Sequence, residues 1–496
     1  MFLDNLQGHA LMSMITFASG AGFALFGYDQ GVFGAFLGNA NFIETFNDPD
    51  PTLQGQITAT YDLGCFAGAI FAMWFGDRMG RKLTIAWGCA ILVVGAIMQT
   101  AAYHVPVMII GRFVAGIGNG MNTTAIPVWQ SETADARHRG RFMVLQLGLN
   151  QVGNVMAQWL NYGMSHIPTN PVSWRFPLAF QCFFAILTVM FLPWLPDSPR
   201  WLAMRGRNEE AYTILKRLGG SNRSEEQTKE LYDLMMNNLR HEAEMPKFGL
   251  KSLFKNDRLQ TTRRMLLGAG TQFMQQFGGI NIINYYLPVV FASLGVNRNL
   301  SLILGACNAM NLLCSTLIGA LYIESFGRKK MMVYGAAVQA LCFALVSTGL
   351  GINTKQWQAV AVAFIFGYYT TFGLSWIAVP WLYPAEVNTQ QMRIAGAGIA
   401  TATNWISNYV VVLVTPVGIS NIQWRYYLIY AVLNAAFVII VQVFYVETAK
   451  LSLEEIDNLF EGCVAFDAEE ARNEGAEKDP RVVHVDDSSN NNSTRE

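Results

Sequence analysis

Three kinds of polar residue stand out against an apolar background. The first is an isolated acid: Asp29, in the stretch FALFGYDQG, is the only side chain of fixed charge between Ala10 and Gly38. A carboxylate at the centre of a bilayer costs roughly 2.5–3.5 kcal/mol on insertion scales, so such residues pair with a cation or mark a proton or ion path. Arg112, in GRF at 111–113, is the candidate partner. Beside a guanidinium a carboxylate stays ionised. Protonation weakens the pair and so couples a proton to helix rearrangement. Asp62, in TATYDLGC, is a second acid in an apolar stretch, suited either to assisting proton movement or to lining a wet cavity.

The second kind is a cluster of amides. QQFGGINIINYY at 275–286 brings Gln275, Gln276 and Asn281 together on an otherwise apolar stretch. Neutral groups that both donate and accept, beside an aromatic face, suit a polyhydroxylated ligand. Gly278 and Gly279 loosen the helix so that the amides can converge. Amides that merely bond between helices are the bland alternative. Gln146, with Asn150 and Asn154 four apart on one helical face, adds a second polar group. The third kind is acid and base in alternation: Asp77, Arg78, Arg81, Glu132 and Arg139, then Glu324, Arg328, Glu386 and Arg393. At helix ends these can bridge neighbouring helices and close a gate that breaks on opening, or they can simply fix topology and snorkel.

Elements able to hold such residues must cross a membrane. Of 496 residues, 52% are hydrophobic and only 14% are charged, against about 25% charged in soluble domains. Apolar stretches of spanning length recur at 12–34, 56–75, 83–102, 106–128, 141–163, 175–195, 265–291, 300–322, 331–351, 357–382, 394–416 and 425–445. Bases collect in the loops after the even-numbered spans, as in DRMGRK, RHRGR and GRKK, while the opposite loops are nearly bare. The positive-inside rule then places both termini in the cytoplasm. Between the sixth and seventh spans, NEEAYTILKRLGG and SEEQTKELYDLMMNNLRHEAE read as short amphipathic helices. The polar stretch from about 464 reads as disordered. The N-terminus has no Lys or Arg ahead of an apolar run too long for a signal peptide.

A formal net charge of −1 speaks against a nucleic-acid partner. Seven cysteines without a CxxC pair give neither a disulfide framework nor a metal site. No Ser-His-Asp set, ligand cluster or phosphate loop appears, so neither an enzyme nor a cofactor is expected.

The halves also rhyme. GRK recurs at 80–82 and 327–329, WRF at 174–176 answers WRYY at 424–427, and DSPRWL after Asp197 answers ETAKLSL after Glu447. Glu132 with Arg139 matches Glu386 with Arg393. Ordered matches at a nearly constant offset near 250 indicate two similar six-helix halves, which can rock about a midplane site.

With these motifs, among them GDRMGRK, PVWQSETADARHRG, PDSPRWL, QQFGGINIINYY, ESFGRKK, VPWLYPAEV and TNWISN, the chain resembles the sugar porter family of the major facilitator superfamily over roughly residues 15 to 460. It is most similar to fungal sugar and polyol proton symporters in FGYDQG, YDLGCFAGAIF and TAIPVWQSE. The resemblance implies that Gln275, Gln276 and Asn281 bind sugar, that Trp381 stacks on it and Asn404 bonds it. It also implies that Tyr285 and Tyr286 belong to an outer gate, and that Asp29 and Arg112 couple a proton. There are departures. The family's fifth-span glutamine falls on Leu147, with Gln146 one place earlier, and Ala378 stands where proline is usual. Glu324-Ser325 replaces the family's Asp-Arg, which implies a weaker second gate cluster.

The expected protein is therefore an all-α membrane protein of twelve transmembrane helices in two pseudo-symmetric halves. These are residues 1–195 and 265–445, joined by a helical linker at 196–264 and followed by a tail at 446–496. Its expected task is plasma-membrane import of a monosaccharide or polyol, a hexose first, by alternating access in a single chain working as a monomer, with the proton as coupling ion. Passive facilitation is the alternative, and a non-transporting sugar sensor the alternative of another class; a tail of about 50 residues past the last span speaks against the sensor.

Overall fold

The computed structural model describes residues 6–134, 139–220, 223–244, 260–389, 392–451, 455–456 and 459–460. For 139–144, 241–244 and 393–394 it describes the backbone alone. The expected disordered stretch from 464 lies outside these residues.

The first half contains α1 (Gly8–Val32), α2 (Ala40–Thr45), α3 (Pro51–Met79), α4 (Arg81–Thr100), α5 (Val105–Thr133), α6 (Arg139–Met164) and α7 (Val172–Phe191). The linker holds α8 (Pro199–Met204), α9 (Asn208–Gly219) and α10 (Glu225–Glu244). The second half contains α11 (Thr261–Phe277), α12 (Ile280–Ser293), α13 (Arg298–Phe326), α14 (Arg328–Ile352), α15 (Lys355–Ser375), α16 (Val379–Val387), α17 (Arg393–Ile422) and α18 (Trp424–Phe444). Counting α11–α12 and α15–α16 as one crossing each, the chain crosses the membrane twelve times.

Nine of these crossings are long and apolar enough on their own, among the described residues. The other three, α5, α6 and α11–α12, carry most of the buried amides, including Asn119, Asn122, Gln146, Asn150, Gln272, Gln275 and Gln276. The shortfall in hydropathy thus marks the helices whose polar groups face protein and cavity instead of lipid.

Two expected single spans are broken. The run at 265–291 is α11 and α12, parted at Gly278–Gly279, where Gly279 takes φ +95° and the Phe343 ring fills the place of a side chain. The run at 357–382 is α15 and α16, parted by a turn at 376–378 ahead of Pro380.

Each half packs around its own core, one including Leu25, Tyr28, Trp129 and Trp174, the other Phe343, Tyr368, Phe372 and Tyr427. The halves meet along α3 against α17 and α6 against α13. Their internal symmetry reaches individual caps. The Asp50 side chain accepts from Leu53 N at the start of α3, as Asn297 does from Leu300 N at the start of α13. Both helices end in a glycine at φ +92°, Gly80 and Gly327. A carboxylate crowds each glycine: a Cβ there would lie 2.8 Å from Asp197 Oδ2 or 2.6 Å from Glu447 Oε2. This explains why GRK and the acids Asp197 and Glu447 repeat together.

In the linker, Leu202, Ala203 and Ala211 form a small apolar cluster. Trp201 Nε1 donates to Asp77 O at 2.7 Å, tying α8 beneath the end of α3. Helix α10 starts with a reciprocal capping box between Ser224 and Gln227.

Candidate functional site

A cavity of about 1270 Å³ lies between the halves. It runs from Asp77, Arg81 and Glu132, at the end of the bundle that carries the basic loops, to Gln275, Asn281 and Asn284 in the interior. The wall from the first half is α6, with Gln146, Leu147, Asn150, Gln151 and Asn154. Leu147 faces the cavity where the family's glutamine would stand, so the amides of the flanking turns supply this wall's polarity. Gln146 donates to Gln130, and Gln151 Nε2 donates to Asn150 Oδ1 at 3.0 Å. Asn154 Nδ2 donates across the halves to Asn284 Oδ1 at 3.3 Å.

Opposite stand Gln272, Gln275, Gln276, Asn281, Trp381 and Asn404. Asn281 donates to Gln276. Asn404 Nδ2 donates to Gln272 Oε1 at 2.6 Å and to Gln275 Oε1 at 3.1 Å. Two prolines position those glutamines. Pro380 has no N–H to offer Trp376 O, four residues back, and Pro384 has none for Pro380 O. The freed carbonyls accept from Gln275 Nε2 at 2.7 Å and Gln272 Nε2 at 2.8 Å. Gln272 was missed in the sequence, although it stands one helical turn before Gln276 on the same face. Asn284 was missed too.

At the other end the halves close on each other. Tyr285 and Tyr286 leave the second half to pack in the core of the first. Tyr286 Oη donates to Val412 O at 3.0 Å. The backbones touch: a Cβ on Gly34 would lie 2.2 Å from Tyr285 O, and one on Gly55 2.5 Å from Leu413 O.

Behind this closure lie the intramembrane charges, all fully buried. Asp29 and Arg112 are not joined as a direct ion pair, which corrects the simplest sequence reading. Tyr61 stands with both: its Oη donates to Asp29 Oδ2 at 2.8 Å, and the Arg112 guanidinium lies 4.5 Å from its ring. Arg112 also faces the Phe33 ring at 4.4 Å and donates through Nη2 to Thr58 O at 3.0 Å. Sequence shows the charges but not the ring that fits among them. Asp62 does not line the cavity; its Oδ1 accepts from Asn408 Nδ2 at 3.0 Å and Tyr285 Oη at 3.4 Å.

The acid–base residues form two matched triads, one in each half. Arg81 binds Asp77 at 2.8 Å and Glu132 at 2.9 Å. Arg328 binds Glu324 and Glu386, each at 2.8 Å. Each triad joins helices of its own half, α3, α4 and α5 in the first and α13, α14 and α16 in the second. The second copy is not weaker. Arg328 holds both carboxylates through paired N–H groups, with Thr448 Oγ1 donating to Glu386 at 2.7 Å. Arg78 stays out of its triad, over the Phe75 ring at 5.8 Å. Glu132 meets Arg81; the side chains of Arg139 and Arg393, the expected partners of Glu132 and Glu386, lie outside the described residues.

Comparison with known proteins places this geometry. The chain matches the family described as "Sugar (and other) transporter" over residues 14–460. It is 41% identical to the MFS-type transporter oryC of Aspergillus oryzae, covering 92% of this chain and 86% of that one. It is 38% identical to the sugar transporter STL1 of Saccharomyces cerevisiae, covering 92% and 82%. Among solved structures, the fold matches the partially occluded inward-open xylose transporter XylE of E. coli with a TM-score of 0.76 at 22% identity, covering 89% of this chain and 99% of that one.

Proposed function

This chain belongs to the sugar transporter family, and from that premise we propose that it imports a monosaccharide or polyol, a hexose first, across the plasma membrane in symport with protons. The basic loops mark the cytoplasmic end, so the structure is an inward-facing state with its outer end closed. The observation that carries the reading is the convergence of neutral amides from both halves on one cavity sealed at one end. Within each wall amides pair with amides, Asn281 with Gln276 on one side and Gln151 with Asn150 on the other. Sugar hydroxyls, each a donor and an acceptor, can replace those partners one for one. Trp381 offers the apolar C–H face a flat surface. Gln272 and Gln275, anchored on freed carbonyls, hold their other ends in place for Asn404.

Asp29, Tyr61 and Arg112 are the coupling group in this reading. Protonating Asp29 removes the charge that Arg112 and Tyr61 face, and the helices that carry them rearrange. Passive facilitation is the second reading, favoured by one observation: Asp29 does not line the cavity.

Uptake by a hexose-transporter-null yeast expressing the chain, with labelled glucose and a competing panel of hexoses, pentoses and polyols, tests the substrate class. Saturable uptake with competition inside that panel is expected. A chain that reaches the surface and takes up none of them contradicts the reading.

A further inference from the structure

The two buried carboxylates are wired differently. Asp29 accepts its hydrogen bond from Tyr61, inside its own half. Asp62 accepts both of its bonds from the other half, from Asn408 on α17 and Tyr285 on α12. When the halves part at the outer end, the bond at Asp29 can persist, but those at Asp62 must break. A proton shifts a conformational equilibrium only through a group whose interactions differ between the two states. By that criterion Asp62 is the better placed of the two.

We propose that Asp62 is a second coupling residue and acts as the latch of the outer gate, ionised while the gate is closed and taking a proton from external water when it opens. This rests on the alternating-access reading and its orientation. Ionised, Asp62 is a pure acceptor and holds Asn408 at 3.0 Å by a charge-assisted bond, roughly twice as strong as a neutral one, with the Tyr285 hydroxyl at 3.4 Å. Its Oδ2 has no hydrogen-bond partner among the described residues and is the atom free to take the proton. The Nε and Nη1 of Arg112 lack partners among the described residues. Arg112 can therefore lean toward whichever carboxylate is charged.

The other titratable groups facing Asp62 are Tyr285 and Tyr286 from α12, Cys65 on its own helix, and Tyr61 beside Asp29. Phenols and thiols ordinarily titrate above about 8, which leaves the carboxylates to respond in mild acid.

The test is labelling of Gln158→Cys by a membrane-impermeant thiol reagent, applied outside intact cells without sugar and compared with the chain lacking that cysteine. Gln158 is 7% exposed and bonded to Gly31 O at 3.3 Å beneath the closed end, so the reagent reaches it when the gate opens. With each rate divided by that of a free thiol at the same pH, because only the thiolate reacts, acidification from about pH 7.5 to about pH 5 should speed labelling roughly fivefold, the loss expected when charge-assisted bonds become neutral ones. Asp62→Asn should label at the fast rate at both pH values, while Asp29→Asn keeps the response. Tyr285→Phe should label faster and still respond, because the carboxylate remains.

Persistence of the pH response in Asp62→Asn, or its loss in Asp29→Asn alone, overturns the proposal. His104 and His166 are held constant by that comparison. If Asp62→Asn fails to reach the surface, Tyr285→Phe and Asp62→Glu decide. Unchanged labelling in the first, or a lost response in the second, equally overturns the latch. With no sugar present, the assay can fail while symport stands, and can succeed in a protein that proves a facilitator.

Discussion

Gly34→Ala should push the transporter toward its outward-open state. Gly34 follows α1, and a Cβ there would sit 2.2 Å from Tyr285 O and 3.0 Å from Tyr285 C, both backbone atoms of the other half. Ordinary contact begins near 3.4 Å, so the two chains must separate by about 1.2 Å. Tyr285 cannot yield alone, because its ring is buried in the first half's core with its hydroxyl on Asp62. Overpacking of this kind costs about 1–3 kcal/mol, and here it falls on the closed state only. At about 1.4 kcal/mol per tenfold, the closed-to-open ratio drops roughly 5- to 150-fold. A protein open 1% of the time would be open roughly 5% to 60% of the time. The assay is uptake from outside: apparent KM should fall, because more carriers face outward, and Vmax should fall, because closure is harder. Gly55→Ala, with a Cβ 2.5 Å from Leu413 O, should act in the same direction, while Gly163→Ala, with nothing within 4 Å, should do neither. Unchanged KM and Vmax in Gly34→Ala would refute the assignment of this contact to the closed state.

Replacing Gln276 or Asn281 with Ala should raise KM about five- to thirtyfold at unchanged surface expression, at roughly 1–2 kcal/mol for the neutral bonds lost; unchanged KM in both would remove them from the site. Glu132→Gln should lower the Tm of the purified protein more than Asp77→Asn. The Glu132 side chain is 11% exposed and that of Asp77 64%, and exposed pairs contribute about 1 kcal/mol or less; the opposite order would refute the triad reading. Asp29→Asn should abolish uphill uptake while exchange of labelled sugar at equilibrium survives, and an accumulating variant would exclude Asp29 as the coupling acid.

Much of the architecture was legible because membrane crossing leaves a length signal and duplication leaves a repeat. The matched GRK motifs coincide with matched helix caps, glycines and acids, so each repeat is a repeated contact. Breaks inside spans were half legible. Gly278–Gly279 announced one, but Pro380 and Pro384 did not reveal that they free carbonyls for Gln275 and Gln272. That requires knowing which helix packs alongside, and long-range packing has no local signature. The same limit hid Tyr61 between Asp29 and Arg112, and the pairing of Arg81 with Glu132. Asn408 stands one turn beyond Asn404 and shares its face, yet only α3 packed alongside shows that it serves Asp62 instead of the cavity.

Proton-coupled sugar import is most directly tested by the pH of the medium. At a membrane potential of 100 mV, one charge carried inward is worth about 2.3 kcal/mol, enough at about 1.4 kcal/mol per tenfold for roughly fiftyfold accumulation. Adding a transported sugar to lightly buffered, starved cells that express the chain should alkalinise the medium, in step with uptake and with the membrane potential. Asp29→Asn should abolish that signal. A sugar that enters measurably through the unmutated protein with no alkalinisation contradicts symport and makes the protein a facilitator.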